Sequence, residues 1–126
     1  VEHFVVIGYS GGGNIASLLA AQRQDVSAVI TVAGNLDHSR WTEHYHYDAL
    51  DKSLNSRDVF PLPPSIKRWH LLAEEDEVLP FDISYSAAQQ DLGATIIRYP
   101  GYDHRCCWEN MWETFIQSLS NEIIRG

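Results

Sequence analysis

The sequence predicts an α/β domain: a parallel sheet flanked by helices in a three-layer sandwich. Three observations carry that reading. Short apolar runs rich in β-branched residues alternate with stretches of helical period, which is the pattern of repeated strand–helix–strand units. The strands are nearly continuous in apolar character rather than alternating, as expected of strands covered on both faces. The runs also end on small or turn-forming residues, where a strand hands over to a helix or loop.

The elements follow in order. His3-Phe4-Val5-Val6-Ile7 reads as a strand buried on both faces, closed by the glycine-rich turn Gly8-Tyr9-Ser10-Gly11-Gly12-Gly13. From Asn14 to about Gln24, Ile15, Leu18, Leu19 and Gln22 recur at helical spacing among alanines, giving a close-packing helix. Ala28-Val29-Ile30-Thr31-Val32 is a second strand, ended by Ala33-Gly34. Residues 35 to about 65 have no clear period and contain His38, Trp41, His44, Tyr45, His46 and Tyr47 before the run Pro61-Leu62-Pro63-Pro64. A stretch of that length inside a compact domain points to a functional excursion, here a short cap. Trp69-His70-Leu71-Leu72-Ala73 is a third strand. A helix from about Phe81 to Leu92 stops at Gly93, and Thr95-Ile96-Ile97-Arg98-Tyr99 is a fourth strand. The last helix, about Trp108 to Ile124, carries Met111, Trp112, Phe115, Leu119 and Ile123 on one stripe. Right-handed crossovers are expected between the strands.

Composition narrows the function. The 126 residues make at most one domain, 1–126, and 9 basic against 17 acidic side chains leave a net charge of −8. With no Lys/Arg cluster, that balance repels phosphate backbones and anionic lipid heads, so neither nucleic acid nor a membrane surface is the expected partner. No apolar run approaches the roughly 20 residues of a membrane span, and no signal peptide opens the chain, so the compartment stays open. Cys106 and Cys107 are adjacent and are read as buried small side chains or free thiols rather than a disulfide. His44-x-His46 has metal-like spacing but lacks a nearby third ligand, and neither a metal nor a cofactor is expected.

The chemistry-bearing residues cluster at turns. Gly8-Tyr9-Ser10-Gly11-Gly12 matches G-x-S-x-G between a strand and a helix, the context in which that pattern presents a nucleophile. The sharp turn forces Ser10 into a strained backbone conformation, and side chains at the flanking positions would collide with neighbouring strand and helix. The helix N-terminus then aims amides at developing negative charge, with the Gly11 N–H as an oxyanion donor. A glycine-rich phosphate loop is the alternative, but G-x-x-x-x-G-K is missing and G-x-G-x-x-G is not matched.

A serine hydroxyl needs a base, and the base needs an orienting acid. In a parallel sheet both should lie just past strand C-terminal ends. Asp76 follows the third strand and His104 the fourth, and the chain order Ser10, Asp76, His104 is that of a nucleophile-elbow triad. Glu74, Glu75, Glu77, Asp82 and Asp103 compete for the acid; Asp76 is preferred for its spacing before Val78 and Pro80, and Asp82 is read as a helix cap. Among the histidines, His38, His44 and His46 lie in the excursion, while His70 sits in a strand and reads as a core or edge side chain. Tyr9, Trp41 and His38 are the candidates to line a substrate pocket, with Tyr45, Tyr47 and Phe60 as further aromatics.

Gly8-Tyr9-Ser10-Gly11-Gly12, Ala73-Glu74-Glu75-Asp76-Glu77-Val78-Leu79-Pro80 and Pro100-Gly101-Tyr102-Asp103-His104 together resemble the three signature loops of the α/β-hydrolase fold, in order. The middle loop departs from the usual G-x-x-D-x-V-x-P only in carrying Ala73 for the glycine. Ala33-Gly34-Asn35-Leu36-Asp37-His38 with Trp41, His44 and Ser53-Leu54-Asn55 is also similar to bacterial hydrolases of that fold. The resemblance implies a serine esterase acting on a small-molecule acyl substrate. It also implies several strands ahead of the elbow strand, roughly one hundred residues, and a second oxyanion donor from an early loop. On that reading the sheet is completed by an N-terminal segment or a partner. The alternatives are a non-catalytic fragment or binding module, and an acyltransferase or peptidase of the same fold.

Overall fold

The computed structural model describes residues 3–125, with side chains through residue 122. Four parallel strands, β1 (Phe4–Tyr9), β2 (Val26–Val32), β3 (Lys67–Ala73) and β4 (Thr95–Tyr99), lie in the spatial order β1-β2-β3-β4. Gly8 pairs with Thr31, Val32 with Leu71, and Ala73 with Tyr99, so the strands end together along one edge. Every loop that leaves a strand C-terminus therefore opens onto the same rim.

The helices are α1 (Gly11–Gln22), α2 (His38–His44), α3 (Ser56–Val59), α4 (Phe81–Gln89) and α5 (Trp108–Arg125). Each connection advances one strand in the same direction, and crossovers of one hand then place their helices on one face. Ala16 and Ala20 of α1 pack with Val26 and Val29 of β2 on that face, and Ala87 and Ala88 of α4 pack with Leu72 of β3. The opposite face is left to α5. There Ala28, Ile30 and Val32 of β2 and Trp69, Leu71 and Ala73 of β3 meet Trp108 and Leu119, with Met111, Trp112 and Phe115 partly buried against them. Alternate residues of the central strands feed the two layers, which is why both strands read as unbroken apolar runs. The three-layer α/β sandwich is as the sequence predicts; the stripe position Ile123 lies outside the residues whose side chains are described.

Several local expectations are corrected. β1 is not covered on both faces: Phe4, Val5, Ile7 and Tyr9 are 42–48% exposed, because β1 pairs with β2 alone and forms an edge among the described residues. The excursion contains two short helices. Asp37 caps α2 by accepting the Arg40 amide, and Asn55 bridges back by donating to Asp37 and accepting from the His38 amide. α4 ends at Gln89, a turn short of the expected Leu92, and begins behind Pro80; Asp82 lies in its first turn with no capping hydrogen bond. Cys106 and Cys107 are bonded to each other through their sulfurs, and Cys106 is exposed, so they are neither buried nor free. The Asp103 carboxylate accepts the Arg105 and Cys106 amides, a tight turn that presents the pair outward. No helix among the described residues is long and apolar enough to cross a membrane.

Candidate active site

Ser10 stands at the junction of β1 and α1 with φ 56° and ψ −122°, in the left-handed region that costs a non-glycine residue about 1–3 kcal/mol. The surroundings over-determine it. Its amide donates to Val32 O at 3.0 Å, and its carbonyl accepts from Gly13 and Asn35 at 3.0 and 2.9 Å. A Cβ on Gly8 would fall 2.0 Å from the Gly12 carbonyl oxygen, and one on Gly13 would fall 2.8 Å from Gly34 Cα. The close approaches are thus at Gly8 and Gly13. The expectation that both flanks of the motif must be small holds on one side only, since added Cβ atoms on Gly11 and Gly12 would meet nothing within 4 Å.

Asp76 lies in the turn after β3. Its Oδ1 accepts the Val78 and Leu79 amides at 2.9 and 2.8 Å, a side-chain turn of the kind aspartate forms with amides two and three residues on. This is the physical content of the spacing to Val78 and Pro80: the loop fixes the carboxylate before α4 begins. Oδ2 is left to face His104 Nδ1 at 2.9 Å. His104 Nε2 in turn lies 3.0 Å from Ser10 Oγ. A carboxylate can only accept, so Nδ1 donates to Asp76 and Nε2 is free to accept the serine proton. Asp76 and His104 are 8% and 7% exposed, while Ser10 is partly open. Such an array can move a proton from a hydroxyl to an imidazole while a buried carboxylate stabilises the resulting cation. Gly11 opens α1 directly after Ser10, and of the first amides of that helix Gly13 donates to Ser10 O at 3.0 Å.

Two of the competing acids, Glu74 and Asp103, are engaged elsewhere. Glu74 pairs with Arg98 at 2.7 Å. Asp103 holds backbone amides of its own loop, and those bonds keep its carboxyl below the usual carboxylate range. Glu75, Glu77, Val78, Asp103 and Arg105 line a groove of about 380 Å³ that His104 borders.

The three pocket candidates are placed as follows. His38 is buried, with Nε2 at 3.1 and 2.9 Å from the Ser53 and Leu54 carbonyls, where it holds the excursion to itself. Trp41 donates through Nε1 to Val78 O at 3.0 Å, and Tyr45 donates to Glu77 O, so the excursion leans on the acid-bearing loop. Tyr9 donates to His104 O at 2.6 Å. Phe60 packs against His70 in the core, with ring centroids 5.5 Å apart. Among the described residues, no group of three or more His, Cys, Asp or Glu could hold a metal.

A second hydroxyl–imidazole–carboxylate array is not apparent from the sequence. Thr31 Oγ1 lies 2.7 Å from His70 Nδ1, and His70 Nε2 lies 2.8 Å from Asp91 Oδ2. Asp91 also holds Arg68 at 3.2 Å and accepts the Leu62 amide at 2.9 Å. Burial pushes the Asp91 carboxyl up, but the bonds from His70, Leu62 and Arg68 outweigh it and hold it below the ordinary value. The one sequence signal was a histidine in an apolar strand; its partner is 21 residues away, with no pattern linking them.

No family model and no curated protein matches the sequence. Solved structures do. Est1E from Butyrivibrio proteoclasticus is similar with a TM-score of 0.74 and 16% identity, over 100% of this chain and 63% of that one. The α/β hydrolase GrgF from a Penicillium species gives 0.73 and 14%, over 96% and 63%. An esterase from Pyrococcus furiosus gives 0.67 and 10%, over 98% and 53%. The chain therefore spans about half to two thirds of the length of these structures. With four parallel strands between helical layers in common, and identity this low, what is shared is architecture: the chain has the fold of the α/β hydrolases.

Proposed function

We propose that this chain carries the nucleophile, base and acid of a serine hydrolase that cleaves an ester or related acyl bond. The observation that carries the reading is the unbroken line from Ser10 Oγ to His104 Nε2 at 3.0 Å and from His104 Nδ1 to Asp76 at 2.9 Å. His104 takes the Ser10 proton as Oγ bonds to the acyl carbon, and the Gly11 N–H meets the oxyanion. The imidazolium then protonates the leaving alkoxide as its bond to carbon breaks, leaving an acyl-serine. In the second half His104 takes a proton from water, whose oxygen attacks the acyl carbon, and returns it to Ser10 as the acid departs. The substrate on this reading is a small acyl compound, and no cofactor enters these steps. An amine or alcohol acceptor in place of water would make the same residues those of a peptidase or acyltransferase.

A second reading rests on β1, whose free edge and exposed Phe4, Val5 and Ile7 invite an added strand from an N-terminal segment or a partner. Where that strand also supplies the second oxyanion donor, the chain alone is a catalytically incomplete module. A fluorophosphonate probe separates the readings. Labelling of the full-length protein, lost in Ser10→Ala, supports the hydrolase; a full-length protein left unlabelled supports a binding module.

A further inference from the structure

His104 and Ser10 belong to opposite ends of the sheet. Ser10 follows β1, whereas His104 follows β4, three strand spacings away, or roughly 14 Å. The loop from Tyr99 to Trp108 must therefore run along the rim to deliver its imidazole. Its near end is well fixed: Tyr102 donates to Tyr99 O, Glu75 donates to Tyr102 O, and Trp108 packs against both tyrosines. The far end, at His104 itself, is fixed through its carbonyl oxygen. Tyr9 Oη donates to it at 2.6 Å, and Trp108 Nε1 donates at 3.2 Å from the α5 side. The Tyr9 ring also lies against the imidazole, with centroids 5.2 Å apart.

We propose that Tyr9 is a positioning residue for the base: from the end of the strand that presents the nucleophile, its hydroxyl pins the His104 main chain, so that the adjacent residues Tyr9 and Ser10 hold the backbone and the imidazole together. The inference rests on the hydrolase reading for its kinetic consequence, while the geometry is independent of it. Burial and the Asp76 and Asp103 carboxylates push the phenol up against the opposing effect of Arg105, so it remains a donor throughout the neutral range. Trp108 bonds the same oxygen but from the helix that follows the loop. Tyr9 ties that oxygen to β1, the strand that leads into the nucleophile.

The test is Tyr9→Phe in the full-length protein, with two readouts. Removing this hydrogen bond should slow fluorophosphonate labelling of Ser10, and kcat on a p-nitrophenyl ester, about fivefold to tenfold. KM should stay within about twofold. The proton NMR signal of His104 Nδ1–H, assigned by its loss in His104→Gln, should broaden through faster exchange with water as the imidazole loosens against Asp76. Unchanged labelling together with an unchanged Nδ1–H signal would overturn the proposal. Should the unsubstituted protein fail to label, the hydrolase reading falls and the NMR arm decides the role of Tyr9 alone: broadening supports it and an unchanged line ends it.

Discussion

Among the described residues there are two hydroxyl–imidazole–carboxylate arrays, alike in hydrogen bonding and different in setting. In both, a hydroxyl lies within 3.0 Å of one imidazole nitrogen and a carboxylate within 2.9 Å of the other. Thr31, His70 and Asp91 are at most 2% exposed, and Arg68 shares the carboxylate, so the second array is a sealed ionic cluster. Ser10 instead is partly open, strained at φ 56°, and set at a helix N-terminus. Thr31 lies within β2, one residue before its end, with its backbone in the ladder between β1 and β3. Proton relay geometry is common to both; access and the backbone turn belong to the first alone.

The comparison is broken most severely through activity. Ser10→Ala should lower ester turnover by about 10⁴-fold or more, and Asp76→Asn by about 10³–10⁴-fold through the wrong imidazole tautomer. Thr31→Val should leave turnover within a few-fold in the same assay. Comparable losses for Ser10→Ala and Thr31→Val would mean that the two arrays are not distinct in role.

Stability should respond in the opposite sense. His70→Ala removes a partner from a buried carboxylate and should cost about 3–5 kcal/mol, read as a fall in Tm of about 10 °C or more. His104→Ala, at the rim, should cost less than half as much in the same melting experiment. Equal costs would show that the sealed array contributes no more to the fold than the open one.

A smaller effect is acid dependence. The folded Asp91 carboxyl is held below its unfolded value near 3.9, so the unfolded chain binds its proton first as pH falls. Its contribution is full above that unfolded value and is lost below it, toward the folded value. Chemical denaturation between pH 6 and pH 3 should show a steeper loss in the parent protein than in Asp91→Asn. The steepness should be equal if Asp91 is not the group responsible.

What the residues reveal locally, and what they conceal, follows from how far each determinant reaches. Ser10 is legible because the strand, the turn and the helix that strain it are contiguous, and Gly8 marks a real contact with the Gly12 carbonyl. Asp76 is legible because its turn is closed by Val78 and Leu79, two and three residues on. The three-layer fold is legible because residues of β2 and β3 serve both faces. The exposure of β1 is not, since its own apolar residues look like those of β2 and only the sheet order makes it an edge. α2 and α3, of seven and four residues, are too short to show a period and are held by Asp37, Asn55, Asn14 and Ser56 across 18 to 42 positions. His38 and Tyr9 look like pocket residues by type; each is engaged with a main-chain carbonyl that no local pattern points to.

The central claim is that Ser10 is the nucleophile of the open array. The most direct measurement is mass-spectrometric mapping of a fluorophosphonate adduct on the full-length protein, alongside Ser10→Ala. The account predicts a single modified peptide, with the adduct on Ser10 and none in the variant. An adduct on another residue, or equal labelling of Ser10→Ala, would contradict it.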